Sequence, residues 1–125
     1  MKLNHFKRSE FYCPCCKDES MDDEFLLRLD RARMEAEVPF RVTSGFRCAE
    51  YQLDLKSRGY ETASGISPHE KGVAGDISVS NDSTRWKIID SLFGVGFNRI
   101  GIGSNFVHAD RDLDRNSNRI WYYKR

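Results

Sequence analysis

Ser67-Pro68-His69-Glu70-Lys71-Gly72-Val73-Ala74-Gly75-Asp76-Ile77-Ser78-Val79 is the stretch from which the rest of this chain can be read. Its first half has the glycine, proline and polar residues of a loop, and residues 73–79 then carry the apolar, β-branched content of a buried strand. Alternation puts Ala74, Asp76 and Ser78 on one face and Val73, Gly75, Ile77 and Val79 on the other. Asp76 is therefore a carboxylate in mid-strand, and burying it is expensive unless something pairs with it. A metal ion would pair with it. A second short apolar run, Phe106-Val107-His108-Ala109-Asp110, can lie beside the first in a sheet and aim the His108 ring at the same point.

His69, Asp76 and His108 together read as one metal site. Imidazole nitrogens and a carboxylate oxygen suit a borderline-soft cation, and a catalytic zinc takes three protein ligands and keeps a fourth position for water. Taken singly, each residue has an ordinary explanation: a histidine hydrogen-bonded in a loop or core, an aspartate capping a turn. The combination is what points to zinc.

At 125 residues and 39% hydrophobic, the chain is long enough for one core and too short for two. The expectation is a single domain over residues 1–125, with a cysteine-containing amino-terminal segment (1–20) and a core (21–125). No run has the roughly 20 apolar residues that span a bilayer. The charged start, Met1-Lys2-Leu3-Asn4-His5-Phe6-Lys7-Arg8, leads into no apolar stretch, so synthesis in a cytoplasm without a signal peptide is expected. A net charge of +1 offers no argument for nucleic acid. His5, in that charged start, reads as a surface residue.

The coarse pattern is α+β. Asp22-Asp23-Glu24 opens a helix with acids where the helix dipole favours them, and Phe25, Leu26, Leu29, Ala32, Arg33 and Ala36 mark one face. It should end near Glu37, because Pro39 follows. Residues 40–43 read as a strand and residues 49–57 as a helix stopped at Gly59, with Tyr51, Leu53 and Leu55 as its larger apolar residues. Residues 59–72 read as a loop. A third helix opens at Asp82-Ser83-Thr84 and runs to about Phe93, with Trp86, Ile89, Leu92 and Phe93 at helical spacing. Residues 99–102, 106–110 and 120–123 complete a small antiparallel sheet, with helices packed mainly on one side. Trp121, Tyr122 and Tyr123 alternate across the last strand; core packing and the floor of a peptide groove explain them equally well.

The motifs Thr43-Ser44-Gly45-Phe46-Arg47-Cys48, Ser67-x-His69-x-x-Gly72-x-Ala74-x-Asp76-Ile77 and Phe106-Val107-His108-x-Asp110 resemble those of the zinc D-alanyl-D-alanine carboxypeptidases. That group is similar to the D-Ala-D-Ala dipeptidases of vancomycin resistance, to phage L-alanyl-D-glutamate endolysins and to the hedgehog signalling domain. The resemblance extends over most of the chain, and Phe6-Lys7-Arg8-Ser9-Glu10-Phe11 before a cysteine cluster resembles the small, stand-alone phage and prophage members. It implies a zinc peptidase, carboxypeptidase-like or endolysin-type, acting on peptidoglycan stem peptides. Such a protein would act as a monomer, without nucleic acid or membrane, on a cell wall reached through a phage holin or an injected virion.

The resemblance also implies roles for individual residues. Arg47 would grip substrate oxygens, because a planar guanidinium binds a carboxylate or an anionic tetrahedral centre through paired hydrogen bonds; the plain alternative is an ion pair with a helix carboxylate such as Glu50. Ser67 would give a hydroxyl to the substrate, or merely cap its loop. Many relatives carry a glutamate three residues before the final histidine, and that position here is Asn105, which cannot accept a proton at neutral pH. Asp110, two residues after His108 on the same strand face, is the favoured general base, ahead of Glu70. Its alternative role is to accept a proton from a ligand imidazole and fix the ring.

Cys13-Pro14-Cys15-Cys16 and the distant Cys48 stand apart from this scheme. The cluster lacks the two paired Cys-x-x-Cys knuckles of a zinc ribbon, and a reducing cytoplasm disfavours disulfides. A second, structural ion at Cys13, Cys15, Cys16 and Cys48 competes with the reading of buried hydrophobic thiols. The alternative to an enzyme is a non-catalytic, zinc-stabilised binding or structural phage module, for which the missing glutamate is the motive.

Overall fold

A computed structural model of the chain describes residues 2–124. The fold is α+β, with three helices and a five-stranded mixed sheet. After a short 3₁₀ turn at Arg8–Phe11 come α1 (Asp23–Ala36), β1 (Val42–Ser44), α2 (Ala49–Ser57), β2 (Ala74–Ser78), α3 (Asp82–Gly94), β3 (Arg99–Ile102), β4 (Phe106–Asp110) and β5 (Arg119–Tyr122). The strands lie in the order β1-β2-β4-β3-β5.

One expectation about the sheet is corrected. The β1–β2, β2–β4 and β3–β4 pairs are antiparallel, but β5 runs parallel to β3. Both edges of β4 are already occupied, by β2 and by its hairpin partner β3. The chain leaving β4 passes to the outer edge of β3, and starting from that end aligns β5 with β3.

The helices start and stop where their caps dictate. The Asp22 carboxylate accepts the Phe25 N–H at 2.9 Å, and the Asn81 side chain accepts that of Thr84 at 2.8 Å, each satisfying an amide with no partner inside the helix. α1 ends as Glu37 enters the left-handed region at φ 58°. Helices α1 and α3 pack against each other over one sheet face. There Phe25, Leu26 and Leu29 of α1 and Ile88 and Leu92 of α3 form one core with Ile77, Ile100 and Val107 of the strands. Phe25 meets Phe97 edge to face at 5.7 Å.

The face of α3 is corrected in part, since Leu92 is in the core and Ile89 packs against it as expected. Ile88, Ser91 and Leu92 are buried, whereas Trp86 is 70% and Phe93 44% exposed. Its amino-terminal end is held by Arg85, which donates to the Gly103 and Ser104 carbonyls at 2.8 and 3.0 Å, and this docking turns Trp86 outward. In α2 the apolar residues alternate instead of recurring every third or fourth position, so they define no single face. Leu55 and Gln52 are buried and Leu53 is exposed.

Alternation along β2 holds as expected. A Cβ on Gly75 would meet the Phe25 ring at 3.4 Å, so Gly75 and Ile77 look into the core. Asp76 faces the other way, toward α2 and the loop of residues 59–72.

Candidate metal centre

Asp76 of β2 and His108 of β4 are directly opposed in the antiparallel ladder. Their side chains therefore meet on the same face, with His108 Nδ1 at 2.9 Å from Asp76 Oδ1. His69 arrives from the loop before β2, and its Nε2 lies 3.3 Å from the same Asp76 oxygen. All three residues are buried. Their donor atoms lie within 4.8 Å of one another.

The loop delivers His69 because its backbone is fastened. His69 N–H donates to Ser67 Oγ at 3.2 Å, and Ser67 N–H donates to Glu70 Oε2 at 2.7 Å. Gly72 lies at φ +72° with a Cβ position only 1.9 Å from the Ser20 carbonyl oxygen, so no other residue fits there. Lys71 binds Asp112 at 2.9 Å and Asp114 at 3.0 Å, and Arg115 binds Asp112 at 3.2 Å while donating to the Ser64 and Ile66 carbonyls. These contacts pin the loop to the segment between β4 and β5.

The donor set fits a zinc ion. His69 Nδ1–H donates to the Gly45 carbonyl at 2.8 Å, which fixes the tautomer and leaves Nε2 with a lone pair facing Asp76. His108 Nε2 is held by Asp110 Oδ2 at 2.7 Å, which leaves Nδ1 for an ion. Zinc–nitrogen and zinc–oxygen bonds of about 2.1 Å give a tetrahedral edge of roughly 3.4 Å. The two separations to Asp76 Oδ1, 2.9 and 3.3 Å, fall just short of that value.

Charge at the site makes the same point. Burial would raise the Asp76 carboxyl, but the adjoining imidazoles outweigh it and hold Asp76 far below the carboxylate range. Burial outweighs Asp76 at His69 and lowers that ring, keeping it neutral. At His108 burial is overcome by hydrogen bonds to Asp110 and Asp76, which push its pKa up to about 9. The two buried carboxylates, each also paired with an arginine, favour further positive charge here, and a proton on His108 supplies it when no metal does.

Arg47 also enters the site. Its Nη2 donates to Asp76 Oδ2 at 3.1 Å, Nε to Ser44 Oγ at 2.9 Å and Nη1 to Gln52 Oε1 at 3.2 Å. The guanidinium is held flat against the centre by these partners, and Glu50 is not among them. A cavity of about 920 Å³ opens above, walled by Arg47, Ser67, His69, His108, Trp121 and Tyr123 among others.

Of the two roles open to Asp110, the geometry matches the orienting one. It is fully buried. Its Oδ2 takes the His108 Nε2–H bond, and its Oδ1 accepts Arg99 Nε–H at 2.7 Å and Asp112 N–H at 3.1 Å. Both oxygens are thus engaged. Glu70 is spent on the loop, and Ser67 both caps that loop and lines the cavity. Sequence reasoning missed Gln52, Arg99 and Asp112, which act by holding other site residues. Only an unusual burial of polar side chains marks them, and that signal is tertiary.

Tyr123 is a further wall residue. Burial pushes its phenol up to about 12, so it stays protonated at neutral pH. Trp121 packs 5.5 Å from the His108 ring, under Arg99 at 5.0 Å. Away from this cavity, Cys13, Cys16 and Cys48 form a second group whose donor atoms lie within 4.8 Å of one another and could hold a metal; Cys15 is exposed and outside that group.

Among the described residues, no helix is long and apolar enough to cross a membrane. Comparison with family models, with curated proteins and with solved structures finds no match to this chain.

Proposed function

We propose that the chain is a zinc-dependent peptidase that hydrolyses peptide bonds in peptidoglycan stem peptides, carboxypeptidase-like or endolysin-type, of the kind deployed by phages and prophages. The observation that carries this reading is the convergence of His69 Nε2, Asp76 Oδ1 and His108 Nδ1 at the floor of a cavity of about 920 Å³ with Arg47 beside them. The motifs that supply these residues are those in which the chain resembles zinc D-Ala-D-Ala peptidases.

Zinc held by His69, Asp76 and His108 would supply a Lewis acid and a bound water acidic enough to act near neutral pH. Asp110 keeps His108 in the orientation and tautomer that present Nδ1, and Gly45 does the same for His69. Arg47, braced by Ser44 and Gln52, offers its fork to a substrate carboxylate or to the oxyanion of the tetrahedral centre. The protonated Tyr123 phenol is a second donor on the wall, and Trp121 gives the peptide an apolar surface.

A second reading, a metal-stabilised binding module, is favoured by one observation. The carboxylates on the cavity wall are all engaged: Glu61 by the Lys124 N–H, Asp76 by the imidazoles and Arg47, and Asp110 by His108 and Arg99. Purified protein incubated with peptidoglycan and zinc separates the two. Release of new amino groups that stops with a chelator and in His69→Ala supports the peptidase; zinc content without turnover gives the site to the binding module.

A further inference from the structure

The cysteines contribute a turn that the hydrolytic site does not use. Cys13 and Cys16 are spaced as a Cys-x-x-Cys pair, and Lys17, the residue after the pair, lies in the left-handed region at φ 63°. Its N–H returns to the Cys13 carbonyl at 2.8 Å, and the Cys13 N–H goes to Asp18 O at 2.9 Å. Such a tight turn aims both thiols to one side. From the other side comes Cys48, the cap of α2, whose sulfur accepts the Tyr51 N–H at 3.4 Å.

Three features favour thiolates that share an ion over packed hydrophobic thiols. Cys13 Sγ is wholly buried, yet it accepts the Cys48 N–H at 3.4 Å. A backbone amide aimed at a buried sulfur stabilises negative charge there. Cys13 Sγ and Cys48 Sγ lie 3.6 Å apart. Zinc–sulfur bonds of about 2.3 Å make the tetrahedral edge about 3.8 Å, so the two sulfurs already stand at ligand spacing. Finally, Cys13, Cys16 and Cys48 are mutual neighbours, so one disulfide would leave a thiol over, whereas one tetrahedral ion uses all three. Cys15 lies in the same turn, between Cys13 and Cys16, with its thiol exposed.

We propose that Cys13, Cys16 and Cys48, with Cys15 closing the tetrahedron, hold a structural zinc ion separate from the histidine site. The ion clamps the amino-terminal segment to the start of α2. Between those points, Phe46 N–H binds Phe11 O at 2.9 Å, and Gly45 lies so close to Phe11 that a Cβ would fall 2.7 Å from its Cα. The bracketed residues are the ones that hold His69 through the Gly45 carbonyl and Asp76 through Arg47. The clamp is a positioning device for that segment, and its metal binding stands whether or not the histidine site hydrolyses peptides.

The test uses metal analysis and cobalt exchange on the full chain. Wild type should carry two zinc ions and His69→Ala/His108→Ala one. Cobalt in the latter variant should give the intense near-ultraviolet charge-transfer band of tetrahedral thiolate coordination. Cys15→Ser should keep the ion while the band falls by about a quarter, one thiolate of four. Cys13→Ser/Cys48→Ser should abolish the band. The His69→Ala/His108→Ala arm reads the site even where the cysteine variant fails to fold. Absence of the band there, a band undiminished in Cys15→Ser, or only two titratable thiols in chelated, unfolded wild type would overturn the proposal.

Discussion

Asp76 and His108 are 32 residues apart in the chain and exact cross-strand neighbours in the sheet, with Asp76 Oδ1 and His108 Nδ1 separated by 2.9 Å. Because the pair is set by the ladder, the backbone holds it in place even without an ion. Replacing Asp76 with Asn should leave the fold cooperative and remove the histidine-site metal, as metal analysis of the purified variant would record. Retention of a full equivalent at that site would exclude Asp76 as a ligand.

Asp110 acts through His108. Asp110→Asn should weaken metal at the histidine site by about 10–100-fold, the usual effect of losing a partner that orients a ligand imidazole. Competition with a chelating dye measures this directly. Unchanged affinity with lost hydrolysis would instead return Asp110 to the role of base.

Arg47→Lys keeps the charge and loses the fork. With metal content unchanged, hydrolysis of peptidoglycan should fall by about 10²-fold, the scale for removing one preorganised oxyanion donor. Equal rates in the two proteins would take the guanidinium out of the mechanism.

Gly72→Ala combines a left-handed backbone with a collision against Ser20 O. The strain alone costs about 1–3 kcal/mol. Denaturant unfolding should show at least that loss, with metal at the histidine site weakened as well, since Gly72 lies between His69 and Asp76.

Glu19 is a pH reporter that belongs to neither group of candidate ligands. Burial would raise its carboxyl, but Arg8 at 2.8 Å and the Met21 N–H outweigh burial and hold it below 4.5. A carboxyl with a depressed folded pKa stabilises the fold above its unfolded value, and this stabilisation is lost as pH falls through the folded one. Wild type should therefore lose stability below about pH 4.5 more steeply than Glu19→Gln does, in parallel thermal melts across that range.

Local pattern was informative wherever the chemistry is local. The helix starts at Asp22 and Asp82, the stop before Pro39, the alternation of residues 73–79 and the three candidate ligand positions were legible because each depends on a few adjacent residues. The burial of Ile88 in place of Trp86 was not, since it depends on how α3 docks against α1. Nor was the parallel β5, which reflects which edge of the sheet the chain reaches after β4.

The order of residues pointed to a common partner for two imidazoles and a mid-strand carboxylate, because an isolated buried charge is costly to keep. Which atoms face that partner came only from packing across distant segments. Gly45 and Asp110 select the ring nitrogens of His69 and His108, Arg99 occupies the oxygen that a base would need, and Cys13 meets Cys48 only when the amino-terminal segment lies against Gly45. Hydrogen bonds and thiol spacings of this kind act over a few ångströms, so nothing in linear spacing specifies them until the chain has closed.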